Sequence, residues 1–198
     1  MQSYVAKHLG DDGGVLVIDD TGSIKKGTTS AGVQRQYSGT AGRFEDFQSG
    51  VFAVCASSTG RATVDWGLYL PRSWTDDRGR RRAAKIPDEH DFARRGEPAK
   101  CLVLRALASD LTVAWVAADA AFGQEGRFRR LLEQSGLGYV PAVSKSQEVF
   151  GPRIDHLFAQ APMEAWEPIS CGEGTKGRGS TTGRHRDCSA WPVFLADT

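Results

Sequence analysis

The sequence predicts an α/β domain, a mixed sheet flanked by helices, on three observations. Two apolar runs, Val15 to Ile18 and Thr112 to Ala118, have the length and composition of buried strands, and each ends in a carboxylate. Between and after them lie stretches of helical periodicity, about Pro98 to Ala108 and Glu125 to Ser135. A third observation, the strict alternation of Thr63 to Leu70, marks a strand with one side toward solvent and therefore an antiparallel partner.

Taken in order, Met1 to Leu9 suits a short helix that leads into the turn Gly10-Asp-Asp-Gly-Gly14. Val15-Leu-Val-Ile-Asp-Asp-Thr-Gly22 is the opening strand, apolar on both faces until the charges begin. Those acids also suit a turn that caps the backbone at Thr21 and Gly22, and that alternative stays open on local grounds. Residues 27–42 are rich in Gly, Ser and Thr and read as a loop, with Lys25, Lys26, Arg35 and Arg43 spaced through and around it. Gly50 to Ser57 is a second strand and Thr63 to Leu70 a third, the latter with Val64, Trp66, Leu68 and Leu70 on one face. Pro71 to Pro87 is charged and irregular, and holds the densest basic cluster, Arg78 to Arg82.

Pro98 then opens a helix with Cys101, Leu104, Leu107 and Ala108 on a shared face. Thr112 to Ala118 is the second buried strand, ending in Asp119. After a turn containing Gly123, the next helix aligns Phe128, Leu131 and Leu132 at i, i+3, i+4 and stops at Gly136. Tyr139 to Val143 is a further strand, placed at a sheet edge by Pro141, which has no ladder donor to give. This order of elements is that of a ribonuclease-H-like domain, whose first and fourth strands are adjacent and central. Asp20 and Asp119 then arrive side by side, as in a site where carboxylates hold Mg²⁺ ions ~4 Å apart to clamp a phosphodiester. A strand-end turn remains the structural alternative for Asp119.

Composition narrows the class. The chain has 198 residues, 40% apolar content and 25 basic against 24 acidic residues, so one domain with a real core is expected and any affinity for nucleic acid must come from local clusters. Cys55, Cys101, Cys171 and Cys188 form no CxxC pair, which gives a zinc site little support and fits reduced thiols. No run approaches the ~20 apolar residues of a membrane span and no signal peptide opens the chain, so a soluble, cytoplasmic protein without a membrane partner is expected.

An ordered set of short motifs carries a resemblance: Val17-Ile-Asp-Asp-Thr-Gly22, Lys26-Gly27, Gly32-Val33, Gln36-Tyr-Ser-Gly-Thr40 with Gly42, Asp65 to Trp74, Ile86-Pro87, Ala117-Ala-Asp-Ala-Ala-Phe-Gly123 and Tyr139 to Lys145. Together they resemble the DDE-type transposases of bacterial insertion sequences, in the branch with a β-rich insertion. The resemblance implies an Mg²⁺-dependent (or Mn²⁺-dependent) enzyme of DNA cleavage and strand transfer acting on insertion-sequence ends, nucleoid-associated, with another transposase subunit as partner. It implies Asp20 and Asp119 as metal-binding catalytic acids, with Asp19 a neighbour. Lys25, Lys26, Arg35, Arg43 and Lys145 are candidate DNA phosphate contacts, with solvated loop cations as the alternative for each. Trp66, Tyr69 and Trp74 are read as packing residues more than base-stacking platforms.

The family's third acid, a glutamate on a helix beyond the insertion, is not found: Glu164, Glu167 and Glu173 sit in Pro- and Gly-bounded context. Asp155, in a helix over Ile154 to Gln160, is the rival third acid, at the spacing used by retroviral-integrase-like relatives. The expected organisation is a lead-in over 1–14, the catalytic core over 15–150, the start of the insertion over 151–177 and an aberrant tail over 178–198. One allowed codon choice for Arg178 to Gly183, read two bases later, encodes Arg-Leu-Tyr-Asp-Trp, close to the family's continuation. A frameshift near Gly177 and truncation at both ends are therefore expected, with exposed apolar surface and cleavage very slow or absent; a non-catalytic DNA-binding remnant or regulator of an intact transposase is the alternative. The nucleotide sequence checks the frame: an open second frame that continues the family pattern is the expected result.

Overall fold

The structure is a computed structural model that describes residues 1–10, 13–38, 43–148, 151–163, 166–174 and 177–183. A mixed sheet of six strands forms its centre, in the order β2-β3-β1-β5-β6 with β4 also on β3. The strands are β1 (Val15–Ile24), β2 (Gln34–Ser38), β3 (Arg43–Ser57), β4 (Gly60–Leu68), β5 (Trp115–Ala118) and β6 (Gly138–Pro141). β1 runs antiparallel to β3 and parallel to β5, and β5 runs parallel to β6, so the apolar runs of β1 and β5 are neighbours in the middle of the sheet. This is the ribonuclease-H-like α/β arrangement the element order predicts, with the Pro141 strand at an edge.

The long β3 is paired with β1 from Phe47 to Ala56 and, on its other side, with β2 over its first residues and β4 over its last. Two expectations are corrected here. Residues 34–38, read as loop, form β2, because each faces a β3 residue, from Gln34 against Phe47 to Ser38 against Arg43. The alternation of β4 is broken by a bulge: Ala53 pairs with Asp65 while Val54 pairs with Thr63, leaving Val64 as the extra residue. Val64 is therefore buried while Trp66 turns to the opposite face, 59% exposed and stacked on Phe52.

The helices are α1 (Gln2–Leu9), α2 (Arg72–Thr75), α3 (Arg78–Ala83), α4 (Gly96–Leu107), α5 (Ala120–Gly123), α6 (Gly126–Gln134) and α7 (Ile154–Ala159). A two-stranded unit of β7 (Glu167–Gly174) and β8 (Gly177–Gly183) follows, and the predicted tail lies outside the described residues from residue 184 on. α1, α4, α5 and α6 contribute to one core with Leu16, Ile18, Val51, Ala53, Val116 and Ala118. The alternate residues Val15, Val17, Phe52, Val54 and Ala117 are only half-buried. β1 is thus sealed on one face rather than both, and Trp66 and Trp115 stand exposed at the margins of the sheet. On α4 the buried face is Ala99, Leu102, Val103 and Ala106, while Cys101, Leu104 and Leu107 are exposed. The expected face was one step out of phase: the i, i+3, i+4, i+7 stripe starting at Ala99 meets the sheet. Pro98 sits in the first turn, where its missing N–H costs nothing.

The charged stretch after Pro71 is ordered, against expectation, into α2 and α3. Asp77 caps α3 by accepting from the Arg80 N–H at 2.9 Å. Arg81 is buried and donates to the carbonyls of Thr75, Pro87 and Asp88 at 3.2, 2.8 and 2.7 Å, so it ties the segment together instead of facing a ligand. Beside it Trp74, fully buried with Val33 and Ile86, donates its Nε1–H to the Val33 carbonyl at 2.6 Å. Among the described residues no helix is long and apolar enough to cross a membrane.

Because Trp74 fills this second core and holds a buried carbonyl, Trp74→Ala should destabilise the fold by about 3–5 kcal/mol in urea denaturation. Trp66→Ala, on the open face, should cost under about 1 kcal/mol.

Candidate metal centre

The site begins with strand register. In the parallel pair of β1 and β5, Val15 lies level with Trp115 and Ile18 with Ala118, so the two apolar runs end together. The next residues are Asp19 on one strand and Asp119 on the other, with Asp20 one step beyond. Successive strand residues point to opposite faces, so Asp20 continues the Leu16 and Ile18 side and Asp19 the Val15 and Val17 side. At the sheet edge the three carboxylates nevertheless converge: each offers one oxygen, and these oxygens lie within 4.8 Å of one another. Asp19 is exposed; Asp20 and Asp119 are half-buried.

Asp119 is fixed from behind. It caps α5, its Oδ1 accepting from the N–H groups of Ala121 at 3.0 Å and Phe122 at 3.4 Å. α5 can lie this close to the end of β6 because Gly123 has no side chain: a Cβ there would come within 1.8 Å of the Ala142 carbonyl oxygen. Arg129 of α6 donates to the Gly123 carbonyl, and Phe122 is fully buried against Phe128. The turn reading of Asp119 and the site reading are therefore compatible: one oxygen serves the cap and the other is left for a ligand.

Asp20 has a partner that sequence reading missed. Arg95, immediately before α4, forms an ion pair with Asp20, and its guanidinium lies 5.0 Å from the centre of the Tyr69 ring. The sequence signal was only an Arg-Arg pair ahead of a helix start, and no local pattern links residue 95 to residue 20. Asp119 has its carboxyl pushed up from the usual range, first by burial and then by the charges of Asp20 and Asp19, against the pull of the Phe122 and Ala121 N–H groups.

Other predicted residues lie elsewhere. Asp155, at the start of α7, is held by Arg153 at 3.0 Å, which keeps its carboxyl below the usual range, and its own N–H donates to the Lys145 carbonyl. It is not in the carboxylate group. Arg35 is exposed on β2, opposite Asp46, and Arg43 is paired with Glu45. The Lys25 N–H donates to the Asp46 carbonyl; Lys26 and Lys145 have exposed side chains. Glu167 and Glu173 lie on β7, and Glu164 is outside the described residues.

Three carboxylates drawn together repel one another, and the donor set fits a hard divalent cation that takes oxygen ligands. Comparison with known families agrees with the geometry: the profile described as DDE superfamily endonuclease matches residues 2–165. The chain belongs to the DDE superfamily endonucleases. That match spans the whole sheet, both acid-bearing strands and α7. No curated protein matches the chain. As a superfamily endonuclease domain it has, in Asp19, Asp20 and Asp119, an acidic group of the kind through which such enzymes use divalent metal.

The raised Asp119 carboxyl sets a sign. A group with a folded-state pKa above its unfolded value stabilises the fold when protonated and loses that contribution as pH rises through the folded value. Without metal at pH 7, Asp119→Asn, which keeps the cap, should therefore melt at or above the wild-type temperature. The gap should close as pH falls through the raised range toward 3.8, the ordinary value. Saturating Mg²⁺ should raise the melting temperature of the wild type but not of the variant.

Proposed function

We propose that this chain is a transposase-type catalytic domain that binds Mg²⁺ or Mn²⁺ through Asp20 and Asp119 and acts on DNA phosphodiesters, first by strand cleavage and then by strand transfer to a 3′-hydroxyl. The observation that supports this most is the meeting of Asp20 and Asp119 at the ends of adjacent parallel strands. When bound, the cation supplies Lewis-acid polarisation of the phosphodiester and acidifies the attacking water or hydroxyl. The chain's own residues do the rest. Asp119, locked by its cap and by Gly123, offers a fixed oxygen, and Asp20 offers a second. Asp19, one residue away, adds a flanking carboxylate.

Arg95 competes with the cation for Asp20. A cation held by Asp20 would free the Arg95 guanidinium from its ion pair and leave it as a donor for a substrate phosphate. Lys25, Lys26, Arg35, Arg43 and Lys145 are the proposed further contacts to the DNA backbone, each acting on charge and not on sequence. Two of the three acids come from one strand end and the third from its neighbour, so the donor oxygens gather on one side. Among the described residues no carboxylate from a separate helix, which would close the other side, joins the group. Cleavage is accordingly slow while metal binding is retained.

A second reading, a DNA-binding regulator that assembles with an intact transposase subunit on insertion-sequence ends, is favoured by the same ion pair, since Arg95 neutralises Asp20 without any metal. Calorimetric titration with Mn²⁺ together with nicking of supercoiled plasmid separates the two. The catalytic reading expects Mn²⁺ binding that Asp20→Ala and Asp119→Ala abolish, slow nicking lost in both, and about 5-fold tighter Mn²⁺ binding in Arg95→Gln, where the competing charge is gone. Metal binding indifferent to Asp20→Ala and Asp119→Ala, beside intact salt-dependent DNA binding, overturns the catalytic reading in favour of the regulator.

A further inference from the structure

Two hollows have Gln34 in both of their linings. The nearer, about 100 Å³, is lined by Arg95 and Tyr69 with Ser49 and Gln34. The farther, about 270 Å³, is lined by Gln34, Arg35 and Arg80 with the hydroxyl-bearing Thr28 and Ser73. Arg95, which holds Asp20, lines the nearer hollow and Gln34 lines both, so the two stand in sequence from the Asp20 side toward β2.

Arg80 at the far end is held in place before any ligand arrives. Its guanidinium lies 3.8 Å from the centre of the Trp74 ring, and its Nη2 donates to the carbonyls of Thr28 at 2.8 Å and Val33 at 3.3 Å. Trp74 is itself fully buried and bonded to the same Val33 carbonyl. Nε and Nη1 of Arg80 have no partner among the described residues, and Arg80 forms no ion pair there. A planar guanidinium clamped on one side with donors to spare on the other is suited to a phosphate, which it can grip with two parallel bonds. Arg35 stands across the same hollow, exposed. Asp46, opposite Arg35 in the ladder, is the one acid of the lining, and its charge is opposed by two arginines.

The spacing is compatible with nucleic acid. Asp20 lies opposite Val51 on β3 and Arg35 opposite Asp46, five residues back along the same strand. At ~3.4 Å per residue that is about 17 Å, a span that the backbone of one strand covers in a few nucleotides.

We propose that the two hollows carry the sugar–phosphate backbone of one DNA strand from the metal centre to a fixed phosphate seat made by Arg80 and Arg35. The seat rests on the DNA-processing reading above and extends it: it registers the strand on the enzyme a few nucleotides from the reacting bond. It reads phosphate and not base, so it contributes affinity and position without sequence preference.

Fluorescence anisotropy on a labelled DNA duplex, measured in EDTA over a range of salt, tests it with the full chain. Arg80→Gln and Arg35→Gln should each weaken binding about 5-fold at moderate salt and lower the salt slope by about one, equally for unrelated sequences. Arg127→Gln, an exposed arginine of α6, is the control and should bind as the wild type does. Arg35 is on an exposed position that no packing requires, so its variant keeps the test valid if Arg80→Gln unfolds. Wild-type binding with both variants behaving like Arg127→Gln overturns the seat and leaves the DNA-processing reading standing. A loss in both variants together with metal binding indifferent to Asp20→Ala supports the seat while removing the catalytic reading. No DNA binding by the wild type overturns both.

Discussion

The register of β1 against β5 is the constraint on which the rest depends. With Ile18 level with Ala118, both apolar runs stop at the same depth and both deliver their acids to one edge. A slip of one residue would move Leu16 and Ile18 out of the core and carry Asp20 to the other face. The register is held by what lies under it: Leu16, Ile18, Val116 and Ala118 are packed against α4, α5 and α6, and β3 pairs with all ten residues of β1 from Val15 to Ile24. The carboxylate cluster is in this sense a by-product of core packing, since the same strands that bury the apolar residues position the charged ones.

That positioning carries an electrostatic cost. Two carboxylates at contact distance repel by between ~1 kcal/mol in water and ~4 kcal/mol at the effective dielectric of a protein surface. Three offsets are visible. Arg95 neutralises Asp20, two N–H groups of α5 share the charge of Asp119, and Asp19 remains exposed to water. The residual repulsion falls on Asp119, the half-buried acid that has no cationic side-chain partner among the described residues, and it is Asp119 that has its carboxyl pushed up. A divalent cation would relieve all three acids at once, so the same repulsion that costs stability without a cation would favour binding one.

What could be read from the sequence was what is local. β1 and β5 announced themselves as short apolar runs ending in acid, Pro141 placed β6 at an edge, and α6 showed its Phe128 and Leu132 face. What could not be read depends on partners distant in the chain. β2 has no apolar period and is a strand because β3 runs on past β4 and offers it a free edge. The bulge at Val64 reverses an alternation that looked perfect, since a strand's pattern cannot reveal that its partner is one residue shorter. On α4, Leu104 and Leu107 are larger than Ala99 and Ala106, and side-chain size favoured the wrong face; close approach of the helix to the sheet selects the small residues. Arg95 and Arg81 belong to the same class. One reaches an acid across the fold and the other is buried by three carbonyls, and neither contact has a signature in sequence spacing.

The placement of the cations follows from the same one-sidedness. With the described helices packed on the Leu16 and Ile18 side, Asp20 points toward that layer, and the chain entering α4 supplies the arginine that meets it. The segment before it holds α2 and α3, made rigid by Trp74 and Arg81, and it brings Arg80 to a hollow that shares Gln34 with the one Arg95 lines. Two arginines from one ordered segment therefore mark the two ends of a path beside the carboxylates. A flexible basic loop would attract a polyanion as strongly at long range, but it would have to be ordered on binding; an arginine already stacked and hydrogen-bonded avoids most of that entropy. Only Arg81 of the five residues Arg78 to Arg82 is buried, so this charged stretch is ordered by arginine bonds to carbonyls and by the neighbouring Trp74 rather than by an apolar face of its own.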